Sequence, residues 1–236
     1  MKNNHHDYSN EDSFPEVFLR VNFLKERLIS DYIPDKNFLE IGIGSGIVTK
    51  MLVENFNNIV CIDPDYRVIG NVRKSIEDIS INKNVEFINK TIEESDINVK
   101  FDYIIVQNIF EHLKDPIVVL KKLRNNLSDY GKIIISVPLA NSFHRYLGVF
   151  KGSLKNVTNL SDTDIEYGHY RVYTLDLLRH HIASSGLKIL FEFPFYLKPL
   201  QTKNLLKLDL DSHKKLFLLG NKFPEYASYI YCEVGK

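Results

Sequence analysis

Phe38-Leu39-Glu40-Ile41-Gly42-Ile43-Gly44-Ser45-Gly46 is the stretch on which the reading of this 236-residue chain turns. The run from Phe38 to Ile43 follows Pro34 and Asp35 and reads as a strand, and Ile47 to Phe56 reads as the helix after it. Glycines at alternate positions between the two let the backbone turn sharply and approach a ligand that side chains would obstruct. A turn of this kind at a helix N-terminus suits a nucleotide-like ligand at the carboxyl end of a parallel sheet. The next apolar run, Asn58 to Asp63, ends in a carboxylate able to accept hydrogen bonds from both hydroxyls of a ribose.

Two ligand classes use such a loop. A dinucleotide fingerprint, Gly-x-Gly-x-x-Gly, requires glycine or alanine at position 47, where this chain has Ile47. Glu40, two residues before the first glycine, would repel a pyrophosphate. It can instead hold the ammonium of an amino-acid moiety, directly or through water. A nicotinamide-dependent oxidoreductase is the alternative that Ile47 argues against.

Outward from the loop, β-branched runs alternate with helical segments, the rhythm of a parallel sheet with crossover helices. Tyr66 to Ile79 reads as a helix, with Val68, Ile69, Val72, Ile76 and Ile79 at near-helical spacing. Val85 to Asn89 and Phe101 to Gln107 read as strands, the second apolar almost throughout, as a strand buried on both faces should be. Pro116 to Leu127 is a helix with proline in its first turn. Asp129-Tyr130-Gly131 turns the chain into a fifth strand, Lys132 to Val137. Leu139 to Tyr173 shows weak periodicity and no clear strand. Thr174 caps a helix running to Ser185 with Gly186 as its stop. Leu187 to Leu197 and Tyr226 to Val234 are strands, with the lysine-rich and partly helical Lys198 to Lys222 between them. The expectation is one domain over residues 1–236, with residues 1–33 as an N-terminal lid and residues 139–173 and 198–222 as insertions forming the acceptor side.

Composition narrows the function classes. Lysine plus arginine equals aspartate plus glutamate at 30 each, so the basic excess usual in phosphate-backbone binders is missing, and no nucleic-acid partner is expected. No apolar run reaches the length of a membrane span. Met1 to Glu11 is polar and contains His5 and His6 without an apolar stretch, so it reads as a mobile tail rather than a secretory signal or a metal site. The two cysteines, Cys61 and Cys232, lie far apart in strand-like runs. A cytoplasmic protein, monomeric or homodimeric, is expected.

The ordered set of segments resembles the class I S-adenosylmethionine-dependent methyltransferases. Glu40 to Gly46 resembles their acid-x-Gly-x-Gly-x-Gly motif, and Val60-Cys61-Ile62-Asp63-Pro64-Asp65 their ribose-binding strand end. Phe101 to Leu113 resembles their fourth strand in the variant ending Glu111-His112, and Leu120 to Pro138 the helix, turn and strand that follow. The resemblance covers about Asn37 to Pro138. It implies a doubly wound α/β fold, with a seven-stranded, mostly parallel sheet of order 3-2-1-4-5-7-6, strand seven antiparallel and helices on both faces. In that order Cys61 and Cys232 are several strands apart and should be free thiols. The implied cofactor is S-adenosylmethionine, held by Glu40, Gly42, Gly44, Gly46, Asp63, Pro64, Thr91, Ile92, Gln107 and Asn108.

The acceptor is read from what the motifs contain and lack. The fourth strand ends Gln107-Asn108-Ile109-Phe110 and lacks the Asn/Asp-Pro-Pro-aromatic motif of methyltransferases acting on DNA adenine or protein glutamine. The aspartate cluster with which catechol-type enzymes hold magnesium is also missing, so a metal-independent in-line transfer to an oxygen or nitrogen of a small polar metabolite is expected. A sugar, a nucleotide-linked intermediate or a natural-product precursor would fit. His112 and His169 are the candidate bases, and Glu111 reads as structural. His144, Arg145, His169, Arg171 and Tyr173 are candidate acceptor ligands, since arginine forks suit phosphate or carboxylate. Each of these can equally tie the insertion to the core. Tyr8, Phe14 and Arg20 are weaker lid candidates, and His180-His181 are given no role. RNA or protein methylation, with Lys198 to Lys222 as a local basic surface, remains an alternative, as does a non-catalytic methyltransferase-like subunit.

Overall fold

The computed structural model describes residues 14–30, 35–200 and 202–236, so Tyr8, His5 and His6 lie outside the described residues. Its helices are α1 (Pro15–Ile29), α2 (Ile47–Asn55), α3 (Tyr66–Ser75), α4 (Pro116–Asn126), α5 (Phe143–Phe150), α6 (Asp162–Glu166), α7 (Leu175–Ser184), α8 (Thr202–Leu205) and α9 (Leu210–Lys222). Its strands are β1 (Asn37–Ile41), β2 (Asn58–Ile62), β3 (Asn84–Ile88), β4 (Phe101–Gln107), β5 (Leu127–Pro138), β6 (Lys188–Phe195) and β7 (Tyr229–Gly235). The sheet runs β3-β2-β1-β4-β5-β7-β6. β1 to β5 pair in parallel, and β7 is antiparallel to both β5 and β6. This is the expected order, with the antiparallel seventh strand inserted beside the fifth.

Alternation along the buried strands divides the core in two. Leu39, Ile41, Ile104, Val106, Ile133 and Ile135 meet Val119, Leu120 and Leu123 of α4 and Leu178 and Ile182 of α7. Phe38, Ile59, Tyr103, Ile105 and Ile134 meet α1, α2, α3 and Phe217 of α9 on the other face. Each buried aliphatic side chain in these layers contributes about 1.5–3 kcal/mol. Cys61 and Cys232 are buried free thiols on opposite faces. No described helix is long and apolar enough to cross a membrane.

Several boundaries differ from the sequence reading, each for a local reason. The helix expected to reach Ile79 stops at Ser75, and a single 3-10 turn, Glu77–Ile79, carries the chain on. β5 begins at Leu127 rather than Lys132, because Leu127 pairs with Phe101 before the register shifts to Tyr103 opposite Lys132. Residues 128–131 bulge outward there, with Tyr130 fully exposed, and a Cβ on Gly131 would come within 2.7 Å of the Phe101 carbonyl. The segment 139–173 is not structureless. It holds α5 and α6, and α6 opens with a capping box in which Ser161 and Asp164 exchange bonds. Thr174 does cap α7, its hydroxyl accepting from the Leu177 amide, and Gly186 ends the helix with a φ of 75°. α1 packs into the core through Val21, Leu24 and Leu28, and Arg27 is bound to Glu233 of β7 at 2.7 Å.

α9 lies close on the end of β6. A Cβ on Gly220 would sit 2.3 Å from both the Phe195 carbonyl carbon and the Tyr196 nitrogen, so the helix touches the strand backbone directly. Gly220→Ala should destabilise the protein by about 1–3 kcal/mol through overpacking. Urea unfolding measures this, and an unchanged midpoint would show that the helix and strand separate freely.

Candidate active site

The glycine loop takes the conformation for which its composition is suited. Gly42, Gly44 and Gly46 have φ values of 74°, 49° and 84°. A Cβ on Gly42 would lie 2.1 Å from Cδ1 of Ile109, and one on Gly46 would lie 2.6 Å from a methyl carbon of Val72. The loop is therefore clamped between the end of β4 and the face of α3. Beneath it, Glu40 is almost fully buried and accepts from the Thr49 hydroxyl at 2.7 Å, while the Cys61 thiol lies 3.8 Å away. Burial, opposed by these bonds, pushes the Glu40 carboxyl up to about 8.

Asp63 ends β2 with its carboxylate turned toward the loop, accepting from the Ile43 amide at 3.0 Å and the Asp65 amide at 2.9 Å. Burial raises its pKa while these amide donors hold it down. Asn89, which the sequence reading passed over, donates to the carbonyls of Asp63 and Pro64 at 3.1 and 2.9 Å and fixes that strand end. Thr91 and Ile92 follow β3. Thr91 Oγ1 bonds the Glu94 carboxylate at 3.1 Å, Ile92 is buried in the core, and its carbonyl accepts from Lys122 at 2.6 Å.

Polar atoms without protein partners collect at one end of the sheet. Among the described residues the buried ones are both amide atoms of Gln107, Asn108 Oδ1, Glu111 Oε2, Ser136 Oγ, Asn141 Oδ1, Ser142 Oγ, Ser228 Oγ and Arg20 Nε. All but Arg20 lie at or just beyond the carboxyl ends of β4 and β5 or just before β7. Asn108 is also held at a φ of 52°, which places a non-glycine residue in the left-handed region where β4 ends. Native interiors rarely leave such groups unpaired, so a polar ligand is the economical partner for them. The open glycine cradle and these atoms at the end of β4 fit an adenosyl amino acid laid across the ends of β1, β2 and β4.

Next to this edge is a cavity of about 110 Å³ whose wall includes Glu111, His144, Arg145, Asp164, His169, Arg171, Lys198 and Tyr229. His112 and His169 meet edge to face, with ring centroids 4.6 Å apart. Desolvation and the neighbouring His169 push His112 down to about 4. Desolvation with the charges of Lys198 and Arg145 takes His144 to about 4 as well. Burial drives Glu111 up to about 7. His169 Nδ1 lies 3.1 Å from Asp164 Oδ1. Burial alone would raise Asp164, yet bonds from His169, Ser161 and Arg145 hold it well below the usual carboxylate range.

The arginines of the insertion are engaged with protein groups. Arg145 donates to the carbonyls of Val157 and Asn159 and to Asp164, joining α5 to α6. Arg171 donates to the carbonyls of Phe110, Leu113 and Lys114, pinning the turn after β4. The Tyr173 hydroxyl lies 3.2 Å from His181 Nδ1, so His181, given no role from sequence, orients Tyr173. Lys198 and Tyr229, also missed, form a buried knot with Glu16 of α1, with distances of 2.9–3.1 Å. Only their lysine and aromatic character was visible in sequence, because their partners lie about 30 to 200 residues away.

Comparison with known proteins places this geometry. The sequence matches the family described as a methyltransferase domain over residues 14–191. The ribosomal RNA small subunit methyltransferase A of Mesomycoplasma hyopneumoniae strain J is 30% identical over 129 residues, covering 52% of this chain and 48% of that protein. The ubiquinone biosynthesis O-methyltransferase of Rickettsia bellii is 26% identical over 121 residues, covering 50% and 49%. The chain thus spans about half the length of these curated relatives. The crystal structure of the N-methyltransferase NodS from Bradyrhizobium japonicum, in complex with S-adenosylhomocysteine, superposes with a TM-score of 0.63 at 15% identity, covering 98% of this chain and 92% of that one. The sheet order, with an acid-led glycine loop after β1, is the fold that the resemblance to class I methyltransferases implies. The chain belongs to the methyltransferase-domain family.

The buried Glu40 carboxyl makes stability depend on pH in a definite sense. In the folded protein it keeps its proton to about pH 8, whereas the unfolded chain loses it near 4.5. Its contribution is fully present below pH 4.5 and is lost as pH rises toward 8, by at most about 1.4 kcal/mol per pH unit. Glu40→Gln should remove this slope, so the stability of the variant relative to the parent should rise between pH 5 and 8. Urea unfolding at several pH values measures it, and a pH-independent difference would show that Glu40 is ionised in the fold.

Proposed function

We propose that this enzyme methylates an oxygen or nitrogen of a small polar metabolite seated beside the carboxyl ends of β4 and β5. The observation that carries the reading is the concentration of unpartnered buried polar atoms at Gln107, Asn108, Glu111, Ser136, Asn141, Ser142 and Ser228 near the carboxyl ends of β4 and β5. Two of these residues, Glu111 and Ser228, also line the small cavity beside that edge. When bound, the cofactor supplies an electrophilic methyl group on a sulfonium whose bonding electron pair stays with sulfur on transfer. Asp63 receives the ribose hydroxyls on the carboxylate lone pairs left beyond its two amide bonds. Glu40, from beneath the glycine loop, is placed to accept a hydrogen bond from the amino-acid ammonium of S-adenosylmethionine, whose charge would favour loss of the carboxyl proton on binding. Pro64, Thr91 and Ile92 close the adenosine side, and Gln107 and Asn108 the end of β4.

The chain's contribution to the chemical step is alignment and proton handling. The neutral His112 ring and its neighbour His169, backed by Asp164, stand where an acceptor hydroxyl must give up its proton as the new bond to carbon forms. His144 faces the same cavity as a polar acceptor ligand. Arg145, Arg171 and Tyr173 act on the acceptor through the segments they tie together. Residues 139–173 and 198–222 form the acceptor side, and Arg20 and Lys198 bring positive charge near it.

Methylation of RNA is a second reading, favoured by the similarity to a ribosomal RNA methyltransferase over half of this chain. Incubating the enzyme with methyl-labelled cofactor and a size-fractionated cell extract separates the two. Label should accumulate in the small-molecule fraction, whereas label in a ribonuclease-sensitive fraction would overturn the first reading in favour of the second. In that assay His112→Ala and His169→Ala should each lower incorporation by about 100-fold. Unchanged turnover in either would remove that histidine from proton handling.

Asp63→Asn loses the charge that ribose hydroxyls bind and keeps an acceptor oxygen for only one of the Ile43 and Asp65 amides. It should weaken S-adenosylhomocysteine at least about 10-fold by calorimetry while lowering the unfolding free energy in urea by only about 1–2 kcal/mol. Equal affinities would remove Asp63 from the cofactor site.

A further inference from the structure

We propose that Glu111, His112 and His169 form a site for one divalent transition-metal cation, opening onto the acceptor cavity. One ligand atom from each lies within 4.8 Å of those from the other two. Bonds of about 2.0–2.2 Å to a tetrahedral cation put ligand atoms roughly 3.4 Å apart, so a closure of at most about 1.4 Å completes the site. Glu111 is 2% exposed, and its Oε2 is buried without a protein partner. A carboxylate oxygen withheld from both water and protein beside two imidazoles is costly unless a cation satisfies it.

The surrounding bonds hold the three ligands in place. Glu111 and His112 share the single turn Phe110–His112, which Arg171 fixes through the carbonyls of Phe110, Leu113 and Lys114. The Tyr170 amide donates to the Glu111 carbonyl at 2.8 Å and draws the His169 segment onto that turn. Asp164 holds His169 through Nδ1 and leaves Nε2 for the cation, the carboxylate–histidine–metal arrangement of built sites. Asp164 is itself anchored by Ser161 and Arg145. These side chains therefore have a positioning role toward a site some of them do not touch.

Two imidazoles and one carboxylate select zinc-, cobalt-, nickel-, manganese- or iron-type cations over calcium, which takes six or more oxygens. Three protein ligands leave coordination positions open, as in catalytic rather than structural sites. The open side faces the cavity that Glu111 and His169 line. There the cation takes an acceptor oxygen and replaces direct proton transfer to His112 or His169, whose ring nitrogens it occupies: the O–H bond breaks, its electron pair stays on oxygen, and the proton passes to solvent. That oxygen then forms the bond to the methyl carbon as the cofactor sulfur keeps the pair of the bond that breaks. This role rests on the function proposed above, whereas the binding of the cation does not. The site also departs from the metal independence expected from the missing aspartate cluster, because its donors are of a different kind.

The test is titration of the full chain, stripped with a chelator and dialysed, with Co²⁺ followed by calorimetry and visible absorbance. One Co²⁺ per chain should bind at micromolar concentration with a ligand-field band that Zn²⁺ abolishes. His112→Ala and His169→Ala should each weaken it at least about 100-fold, and Asp164→Asn about 10-fold or more. A His5→Ala/His6→Ala variant should bind as the parent does. S-adenosylhomocysteine affinity, measured on every variant, reports an intact fold and tests the cofactor reading separately. Absence of binding at millimolar Co²⁺, or binding that survives in His169→Ala or vanishes in the His5/His6 variant, overturns the site.

Discussion

The side chain of Ile109 rests on Gly42 at a distance no Cβ could tolerate, and the rest of the site depends on that contact. It joins the end of β1 to the end of β4, and it requires glycine on one side and the left-handed turn at Asn108 on the other. Asn108 is compatible with that turn because a short polar side chain tolerates the left-handed region better than a branched one. With the two strand ends held together, the glycine loop opens toward Asp63. The chain beyond β4 is delivered as a tight turn carrying Glu111 and His112 over the sheet edge. Cofactor cradle and acceptor cavity are therefore two sides of one backbone crossing.

The cradle was legible in the sequence because its parts are local. A strand, alternate glycines, a helix and an acid at the next strand end fall within 26 residues, and each has a physical reason to be where it is. The strand order followed from the resemblance, and the buried alternation along β1, β4 and β5 accounts for why that order packs helices on both faces. What local pattern missed was length and register. Ser161-Asp162-Thr163-Asp164 carries a capping-box signal that could have revealed α6, and the bulge before Lys132 hid the start of β5.

The acceptor side was less legible for a different reason. Arg145 and Arg171 look in sequence like forks awaiting an anion, yet their donors meet carbonyls at Val157, Asn159, Phe110, Leu113 and Lys114. No spacing rule announces such long-range side-chain-to-backbone bonds. Glu111 illustrates the reverse: next to a histidine after a strand it reads as structural, and only its burial with an unpartnered oxygen marks it as chemically available. The roles exchange once the chain is folded. The arginines shape the insertion, and the buried carboxyl faces the cavity.

The central claim is that one ligand bridges the glycine loop, Asp63 and the end of β4. Amide hydrogen exchange measured with and without S-adenosylhomocysteine tests it most directly. The account predicts added protection concentrated in residues 42–46, 63–65 and 107–109, the three segments that the Ile109–Gly42 contact and the Asp63 bonds bring to one edge. Protection elsewhere, or an unchanged exchange pattern at saturating ligand, would contradict it.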